Sequence, residues 1–276
     1  MLFRSPLILE KTIPLASVSG RIDHLTIDLN RKHLFVAELG NNSVDAIDLN
    51  TDKVIHRIGG LKAPQGVAYL TGPDLLAVAS AGDGSLRFFR ADDFSVLGTV
   101  DLHDDADNIR IDPSTGQIAV GYGSGGLALL DPASRSKLAD IHLAEHPEGF
   151  QIDAGGERAF VNVPDAHQIA VLDLKSRQQT GTWDTNGLRS NFPMALAGRE
   201  GPLAVVFRSP SKLALFDVAT GAISERVDTC GDADDVFFDQ KRRRIYISCG
   251  EGVVDVVRRD NGSLTSIGRI PTASRF

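Results

Sequence analysis

The sequence predicts an all-β chain folded as a β-propeller of four-stranded blades. Two observations favour this fold: a repeat of 41 to 45 residues that runs along the chain, and four short apolar runs inside each repeat. No window shows the 3.6-residue periodicity of a capped amphipathic helix. Four strands in a repeat of about 40 residues is typical of a propeller blade.

Two independent series of positions define the repeat. The first marks the end of an apolar strand, with spacings of 42, 41, 42, 44 and 41 residues; its members are Asp48, Arg90, Asp131, Asp173, Asp217 and Arg258. The second lies upstream in each unit, with spacings of 42, 42, 41, 45 and 41; its members are His24, Gly66, Asn108, Gly149, Met194 and Asp235. Because both series keep one period, we assign six complete units to the chain.

Within each unit, short β-branched runs alternate with turn clusters, a pattern typical of hairpin strands. In the first unit the predicted strands are Leu25–Asp28, Leu34–Glu38, Val44–Asp48 and Val54–Ile58, separated by the turn sequences LNRK, GNNS and NTDK. We expect one domain over residues 1–276, with blades at about 21–61, 62–102, 103–143, 144–185, 186–229 and 230–272.

A further run, LILEKTIPL at 7–15, resembles the fourth strand of a blade and precedes the six units. We interpret it as a lone closing strand, so that the chain follows a seven-bladed template of which it contains six complete blades. The seventh unit would begin at Ala273–Phe276. A closed six-bladed ring with a loose N-terminal strand is the alternative.

The segment FVAELGNNSVDAIDLNTDKVIHRI at 35–58 resembles the YVTN-type (YncE-like) repeat of bacterial β-propellers. Later units carry LAVAS, IAVGY, AFVNV, LAVVF and IYISC in the strand that corresponds to FVAE. The resemblance covers nearly the whole chain and implies the propeller fold, which serves many functions. Repeats of the WD type are less similar, because the one Trp-Asp pair, Trp183-Asp184, does not recur.

The units differ most just before their first strand, which in propellers of this type lines one mouth of the central channel. Polar side chains are concentrated there. We predict a small-ligand site formed by Asp23, His24, Gln65, Asn108, His146 and Asn191. We predict metal ligands at Asp105, Asp107, Glu148, Asp232, Asp234 and Asp235.

Carboxylates held together repel one another unless a cation or an arginine compensates them. Oxygen ligands favour Ca²⁺ or Mg²⁺, and added imidazole favours Zn²⁺ or Mn²⁺, so a divalent metal is the expected cofactor. The alternative interpretation is that these aspartates have a structural role and cap turns.

The predicted function is a binding or scaffold protein with an acidic channel mouth for a metal, a small molecule or a protein partner. The alternative is a metal-dependent hydrolase of lactones or esters with His24 or His146 as general base, by analogy with calcium-dependent lactonases on six-bladed propellers.

The charge balance excludes other classes of function. With 29 Lys+Arg against 36 Asp+Glu the net charge is −7, which disfavours nucleic-acid binding. The basic run Lys241–Arg244 is therefore interpreted as a solvated hairpin turn, and no apolar stretch is long enough to span a membrane.

Cys230 and Cys249 are expected at the same mouth of the channel, either as a disulfide or as two buried thiols. We expect a periplasmic or secreted protein if a leader was removed, and a cytoplasmic one otherwise.

Overall fold

The computed structural model describes residues 5–198, 201–260 and 262–272. These residues form two compact units. The first unit spans 12–147, and the second contains residues 5–11 and 148–272. Each unit contains three four-stranded antiparallel sheets, in which consecutive strands are neighbours. The predicted architecture of six four-stranded blades is confirmed.

The unit of residues 12–147 contains blades 1 to 3. Blade 1 comprises β1 Leu25–Asp28, β2 His33–Glu38, β3 Ser43–Asp48 and β4 Lys53–Ile58. Blade 2 comprises β5 Pro64–Leu70, β6 Leu75–Ser80, β7 Ser85–Arg90 and β8 Val96–Asp101. Blade 3 comprises β9 Ile109–Ile111, β10 Ile118–Tyr122, β11 Gly126–Asp131 and β12 Ser136–His142. A single 3-10 turn, Leu39–Asn41, joins β2 to β3.

The other unit contains blades 4 to 6. Blade 4 comprises β13 Phe150–Ile152, β14 Arg158–Val163, β15 Gln168–Asp173 and β16 Gln178–Asp184. Blade 5 comprises β17 Arg189–Leu196, β18 Leu203–Ser209, β19 Ser211–Phe216 and β20 Ile223–Asp228. Blade 6 comprises β21 Ala233–Asp239, β22 Arg244–Cys249, β23 Val253–Asp260 and β24 Ser263–Pro271.

Burial explains the sequence pattern of the strands. The second strand of blade 2, β6, is buried at every residue, and it is therefore a continuous apolar run. Fourth strands such as β4 are mostly exposed and carry polar residues. In each unit the apolar side chains of one sheet pack against the next sheet, with Phe35 and Phe88 in one unit and Phe160 and Phe207 in the other fully buried. Burial of each such ring contributes about 2 kcal/mol to folding.

Aspartates at the ends of third strands cap the turns that follow. Asp48 Oδ1 accepts a hydrogen bond from the Asn50 N–H at 2.8 Å, and Asp131 Oδ1 accepts one from the Ala133 N–H at 3.0 Å. The hydrogen bond from the Asn50 N–H is the main cause of the lowered pKa of Asp48. These repeated aspartates therefore stabilise the turns that follow the third strands.

The predicted closing strand at 7–15 is wrong. These residues carry no strand, because no ladder of hydrogen bonds joins them to any strand of the described chain. Ile8 and Leu9 are instead 76% and 83% exposed. The described residues therefore contain six blades and no seventh, and Ala273–Phe276, where a seventh unit was expected to begin, lies outside them. Within the same residues, no helix has the length and apolar character needed to cross a membrane.

Candidate functional site

The backbone just before the first strands has a repeated irregularity that presents two side chains where a regular ladder would present one. In blade 1 the Asp23 N–H donates to the Ala37 carbonyl at 2.8 Å, and the Ala37 N–H donates to the His24 carbonyl at 3.0 Å. Two residues thus oppose one, which is the geometry of a β-bulge. The same two hydrogen bonds join Asp107 and Asn108 to Gly121, and Glu148 and Gly149 to Asn162.

In the unit of residues 12–147, these bulges bring Asp23, His24 and Asp107 together. One potential ligand atom from each side chain lies within 4.8 Å of the other two. The His24 Nδ1 atom is 2.8 Å from Asp23 Oδ1. We call these three residues the Asp-His cluster.

Asp107 is the most buried member of the Asp-His cluster, with 5% of its surface exposed. Its Oδ2 atom accepts a hydrogen bond from Asn108 Nδ2 at 3.2 Å. Its Oδ1 atom is buried and has no hydrogen-bond partner in the part of the chain that the structure describes. Burial raises the pKa of Asp107, and the nearby carboxylate of Asp23 adds to that rise. The cluster thus contains a buried acceptor that no protein group satisfies.

The electrostatics at His24 also reflect excess negative charge. Burial by itself would lower the pKa of His24, but the hydrogen bond with Asp23 and the charge of Asp107 outweigh it, and the pKa is raised. The charge of Arg110 opposes this rise, and the Arg21 Nη2 atom lies 2.8 Å from Asp23 Oδ2. Sequence reasoning missed both arginines, although each lies within three residues of a predicted site residue.

Three more of the predicted residues lie beside this cluster, around Asp105. Gln65 Nε2 donates to Asp105 Oδ1 at 3.4 Å, and the His146 Nδ1 atom is 3.8 Å from Asp105 Oδ2. His146 Nδ1 also donates to the Gly123 carbonyl at 2.5 Å, which fixes the proton on that nitrogen. The charges of Asp105 and His146 both act on Asp107. Seven of the twelve predicted residues therefore belong to one unit of the chain: Asp23, His24, Gln65, Asp105, Asp107, Asn108 and His146.

In the unit with blades 4 to 6, Asn191 belongs to a buried amide cluster. Its Nδ2 donates to Asn162 Oδ1 at 2.9 Å and to the Gln168 carbonyl at 3.0 Å. Asn162 Nδ2 in turn donates to the Phe192 carbonyl at 2.9 Å. Both asparagines are fully buried. Asn162 was missed by sequence reasoning; the available signal is a polar residue inside the apolar second-strand run AFVNV.

The predicted metal ligands Asp232 and Asp234 form ion pairs with an arginine. Arg208 Nη1 is 3.0 Å from Asp232 Oδ1, and Arg208 Nη2 donates to Asp234 Oδ1 at 2.8 Å. The guanidinium also stacks on the ring of Phe192, 4.2 Å from its centroid. Asp235 Oδ1 accepts a hydrogen bond from the Val236 N–H at 2.8 Å. The charge compensation expected of a cation is thus supplied to two of these aspartates by Arg208, which sequence reasoning missed.

Glu148, the remaining predicted ligand, precedes β13 in the same unit. Its N–H donates to the Asn162 carbonyl at 3.0 Å, so its backbone has the same role as that of Asp107 in blade 3. The cysteines of blade 6 form a disulfide between Cys230 and Cys249, with their Cα atoms 6.1 Å apart. Of the two states that the sequence left open for these cysteines, the structure has the disulfide.

Comparison with known proteins supports the fold. No protein-family model matches the chain, and no curated protein matches it by sequence. A chain in a crystal structure of the mitotic checkpoint complex is 15% identical and superposes with a TM-score of 0.80, over 98% of this chain and 90% of that chain. Hydrazine synthase from Kuenenia stuttgartiensis is 15% identical with a TM-score of 0.75, over 97% and 91%.

The chain is a six-bladed β-propeller. At 15% identity the likeness establishes the fold alone, because propellers with unrelated functions share this architecture. Since no family model matches, the resemblance to the YVTN-type family stays a prediction.

Proposed function

We propose that this propeller is a binding module that holds a divalent cation at the Asp-His cluster of Asp23, His24 and Asp107. The observation that carries the proposal is the Asp107 Oδ1 atom, which is buried without a hydrogen-bond partner among the described residues, in a side chain that offers one carboxylate oxygen within 4.8 Å of ligand atoms from Asp23 and His24. A buried carboxylate oxygen of this kind costs free energy unless a cation or a proton satisfies it.

The donor set narrows the class of ion. Two carboxylates and one imidazole suit Zn²⁺ or Mn²⁺ better than Ca²⁺ or Mg²⁺, which prefer oxygen ligands. The contact of 2.8 Å between His24 and Asp23 supports this choice, since a carboxylate that orients a histidine is a recurrent feature of such sites. We therefore propose Zn²⁺ or Mn²⁺ ahead of Ca²⁺ or Mg²⁺. This is the opposite of the preference expected from the sequence, in which the predicted carboxylate ligands outnumber the histidines.

The proposal assigns no metal to the aspartates before and within β21. Arg208 already compensates Asp232 and Asp234, so a cation there would compete with an existing guanidinium. A binding or scaffold role is consistent with the propeller fold, and we propose that the ion either fixes the loops before β1 and β9 or itself contacts a polar ligand. The disulfide of blade 6 supports the proposal that the protein works in an oxidising compartment, outside the cytoplasm.

The test is calorimetric titration of the chelator-stripped protein with Zn²⁺, Mn²⁺, Ca²⁺ and Mg²⁺. We expect one Zn²⁺ or Mn²⁺ per chain, and we expect Asp107→Asn and His24→Gln each to weaken binding by at least about tenfold. The matched control is Asp131→Asn, which removes a carboxylate that caps a turn in the same unit. No heat with any ion, or unchanged affinity in Asp107→Asn, would contradict the proposal.

A metal-dependent hydrolase is the second candidate, and the contact between Asp23 and His24 is the observation that favours it. In this candidate the carboxylates of Asp23 and Asp107 hold the cation, and His24 is the base beside it and not a ligand. Hydrolysis of γ-butyrolactone and p-nitrophenyl acetate by the Zn²⁺-loaded protein tests this candidate. Turnover that disappears in His24→Gln at a Zn²⁺ concentration that saturates the variant supports a hydrolase, and absence of turnover with the metal bound leaves the binding function alone.

A further inference from the structure

A groove in the unit of blades 4 to 6 lies between the turn that joins β17 to β18 and the turn that joins β21 to β22. Its volume is about 390 Å³, which is within the range of small-molecule sites. The residues that define its chemistry are Pro202, Phe238, Ile245, Arg243, Arg244 and Arg259. None of them belongs to the Asp-His cluster, so the groove is a separate candidate site.

One part of the groove is apolar. Phe238 is half-buried and packs on the core that blades 5 and 6 share, whereas Ile245 is fully buried and offers no surface to a ligand. Phe238, Pro202 and Ala197 therefore provide the apolar surface of the groove. An apolar wall of this kind gains free energy when a ligand covers it, at roughly 25 cal/mol per Å² of surface removed from water. The groove therefore favours a ligand with an aromatic or aliphatic body.

The rim of the groove is basic, in contrast to the chain as a whole with its net charge of −7. The turn Lys241–Arg244 supplies four cations, and β23 adds Arg258 and Arg259. Among the described residues, three carboxylates oppose these six cations: Asp239, Asp260 and Glu225. The local charge is thus +3.

The existing ion pairs show which cations remain for a ligand. Arg243 and Arg258 share Asp260, at 3.1 and 2.5 Å, while Arg259 is 2.7 Å from Glu225. Lys241 and Arg244 form no ion pair within the described residues. Arg244 Nη1 donates only to the carbonyl of Pro6, at 3.1 Å. A carbonyl does not neutralise a guanidinium, so the charge of Arg244 remains uncompensated within ion-pair distance.

We propose that this groove binds a small organic anion, which places an aromatic or aliphatic body against Phe238 and Pro202 and an acidic group at Arg243 and Arg244, the two cations of the turn Lys241–Arg244 that line the groove. The apolar wall and the excess positive charge select for both features together. Neither an inorganic anion nor a neutral aromatic molecule satisfies both. The basic run that the sequence marks as a solvated turn then has a binding function, and this function depends on no metal.

The test compares four probes by calorimetry: benzoate, phenyl phosphate, benzyl alcohol and inorganic phosphate. We expect benzoate and phenyl phosphate to bind at least about tenfold more tightly than the other two, since a charge-assisted hydrogen bond contributes more than a neutral one. A preference for phenyl phosphate over benzoate would identify the acidic group as a phosphate, and the reverse order would identify a carboxylate. Equal affinity for all four probes, or no binding, would overturn the proposal.

Two variants locate the binding. We expect Arg243→Gln and Arg244→Gln each to weaken benzoate or phenyl phosphate binding by about fivefold to tenfold. Arg243 is exposed on a turn, so its replacement leaves folding intact, and it provides a second test if Arg244→Gln is unstable. Lys175→Gln, which removes an exposed turn cation from the same unit, is the matched control. Equal affinities in Arg243→Gln and Lys175→Gln would refute the proposed position of the acidic group.

Discussion

A Cβ atom on Gly66 would stand 2.0 Å from the carbonyl oxygen of Asp107. Gly66 lies in β5 of blade 2, and Asp107 lies two residues before β9 of blade 3. The close approach of the two main chains therefore depends on the absence of a side chain at residue 66. Since Asp107 is the buried member of the Asp-His cluster, Gly66 positions a candidate ligand through the backbone.

We expect Gly66→Ala to destabilise the protein by about 2 kcal/mol, because the added methyl group must displace backbone atoms. The same displacement moves Asp107, so Zn²⁺ affinity should fall as well. Urea unfolding and calorimetric titration measure the two effects. Gly59→Ala is the control: a Cβ there meets nothing within 4 Å, and we expect a change below about 0.5 kcal/mol. Equal stability of the two variants would show that the contact imposes no constraint.

The sequence alone predicts the blades well, because every blade must bury its second strand and cap its turns in the same way. These shared requirements produce the repeat that the sequence shows. It also places Asp23, His24 and Asp107 in one region, since the same bulge precedes β1 and β9. The leading strand at 7–15 was predicted wrongly, because an apolar run shows strand propensity but cannot show that a partner strand exists.

The repeat pattern of the sequence could not predict which side chains form ion pairs with the predicted site residues. Arg208 lies near the end of β18, 24 residues before Asp232 in the chain, and only the fold brings its guanidinium to Asp232 and Asp234. The sequence alone does not distinguish an aspartate that pairs with an arginine from one that has no such partner. The pattern therefore could not show that Arg208 pairs with two of the predicted metal ligands, or that Asp107 Oδ1 is buried without a hydrogen-bond partner among the described residues.

We expect Asp107→Asn to stabilise the metal-free protein by about 1 kcal/mol at pH 7. The substitution preserves the shape of the side chain and removes a buried charge that lies near Asp23 and Asp105. Relief of this repulsion between carboxylates accounts for a gain of about 1 kcal/mol in unfolding free energy. Urea unfolding in the presence of a chelator measures the change. Destabilisation would show that the Asp107 carboxylate is well satisfied by the protein itself, which would remove the basis of the cation proposal.

Asp28 has the opposite environment, and we expect Asp28→Asn to destabilise the protein by about 2 kcal/mol at pH 7. Asp28 is 1% exposed and lies 2.8 Å from Arg31, which also binds Asp74 at 2.6 Å. Burial alone would raise the pKa of Asp28, but its hydrogen bonds with the Arg31 side chain and with the Arg31 and Asn30 N–H groups outweigh burial and lower it.

The pH dependence of this effect follows from the direction of the shift. Because the folded-state pKa of Asp28 is lowered, its contribution is complete above the ordinary value of 3.8 and is lost as the pH falls through the folded-state pKa. The difference in unfolding free energy between the wild type and Asp28→Asn should therefore shrink below pH 3.8. Asp92→Asn, at an exposed turn in blade 2, is the control. A difference that stays constant down to pH 2 would contradict the lowered pKa.

The disulfide between Cys230 and Cys249 leads to the last prediction. It joins the segment before β21 to the end of β22, and both sulfurs are buried, at 1% and 5% residue exposure. It closes a loop with a sequence separation of 19 residues, for which the loss of unfolded-state entropy predicts a stabilisation of about 3 kcal/mol. The Cys230→Ser and Cys249→Ser double variant should lose about this amount of unfolding free energy in urea.

Reductant should destabilise the wild type and leave the double variant unchanged, and the intact mass of the wild type should rise by about 2 Da on reduction. A wild type whose mass and stability do not respond to reductant under denaturing conditions would show that the two thiols are free. Because Asp232 follows Cys230 by two residues, loss of the bridge should also loosen the ion pair of Asp232 with Arg208 Nη1, and the chemical shifts of the Arg208 Nη–H groups report that change.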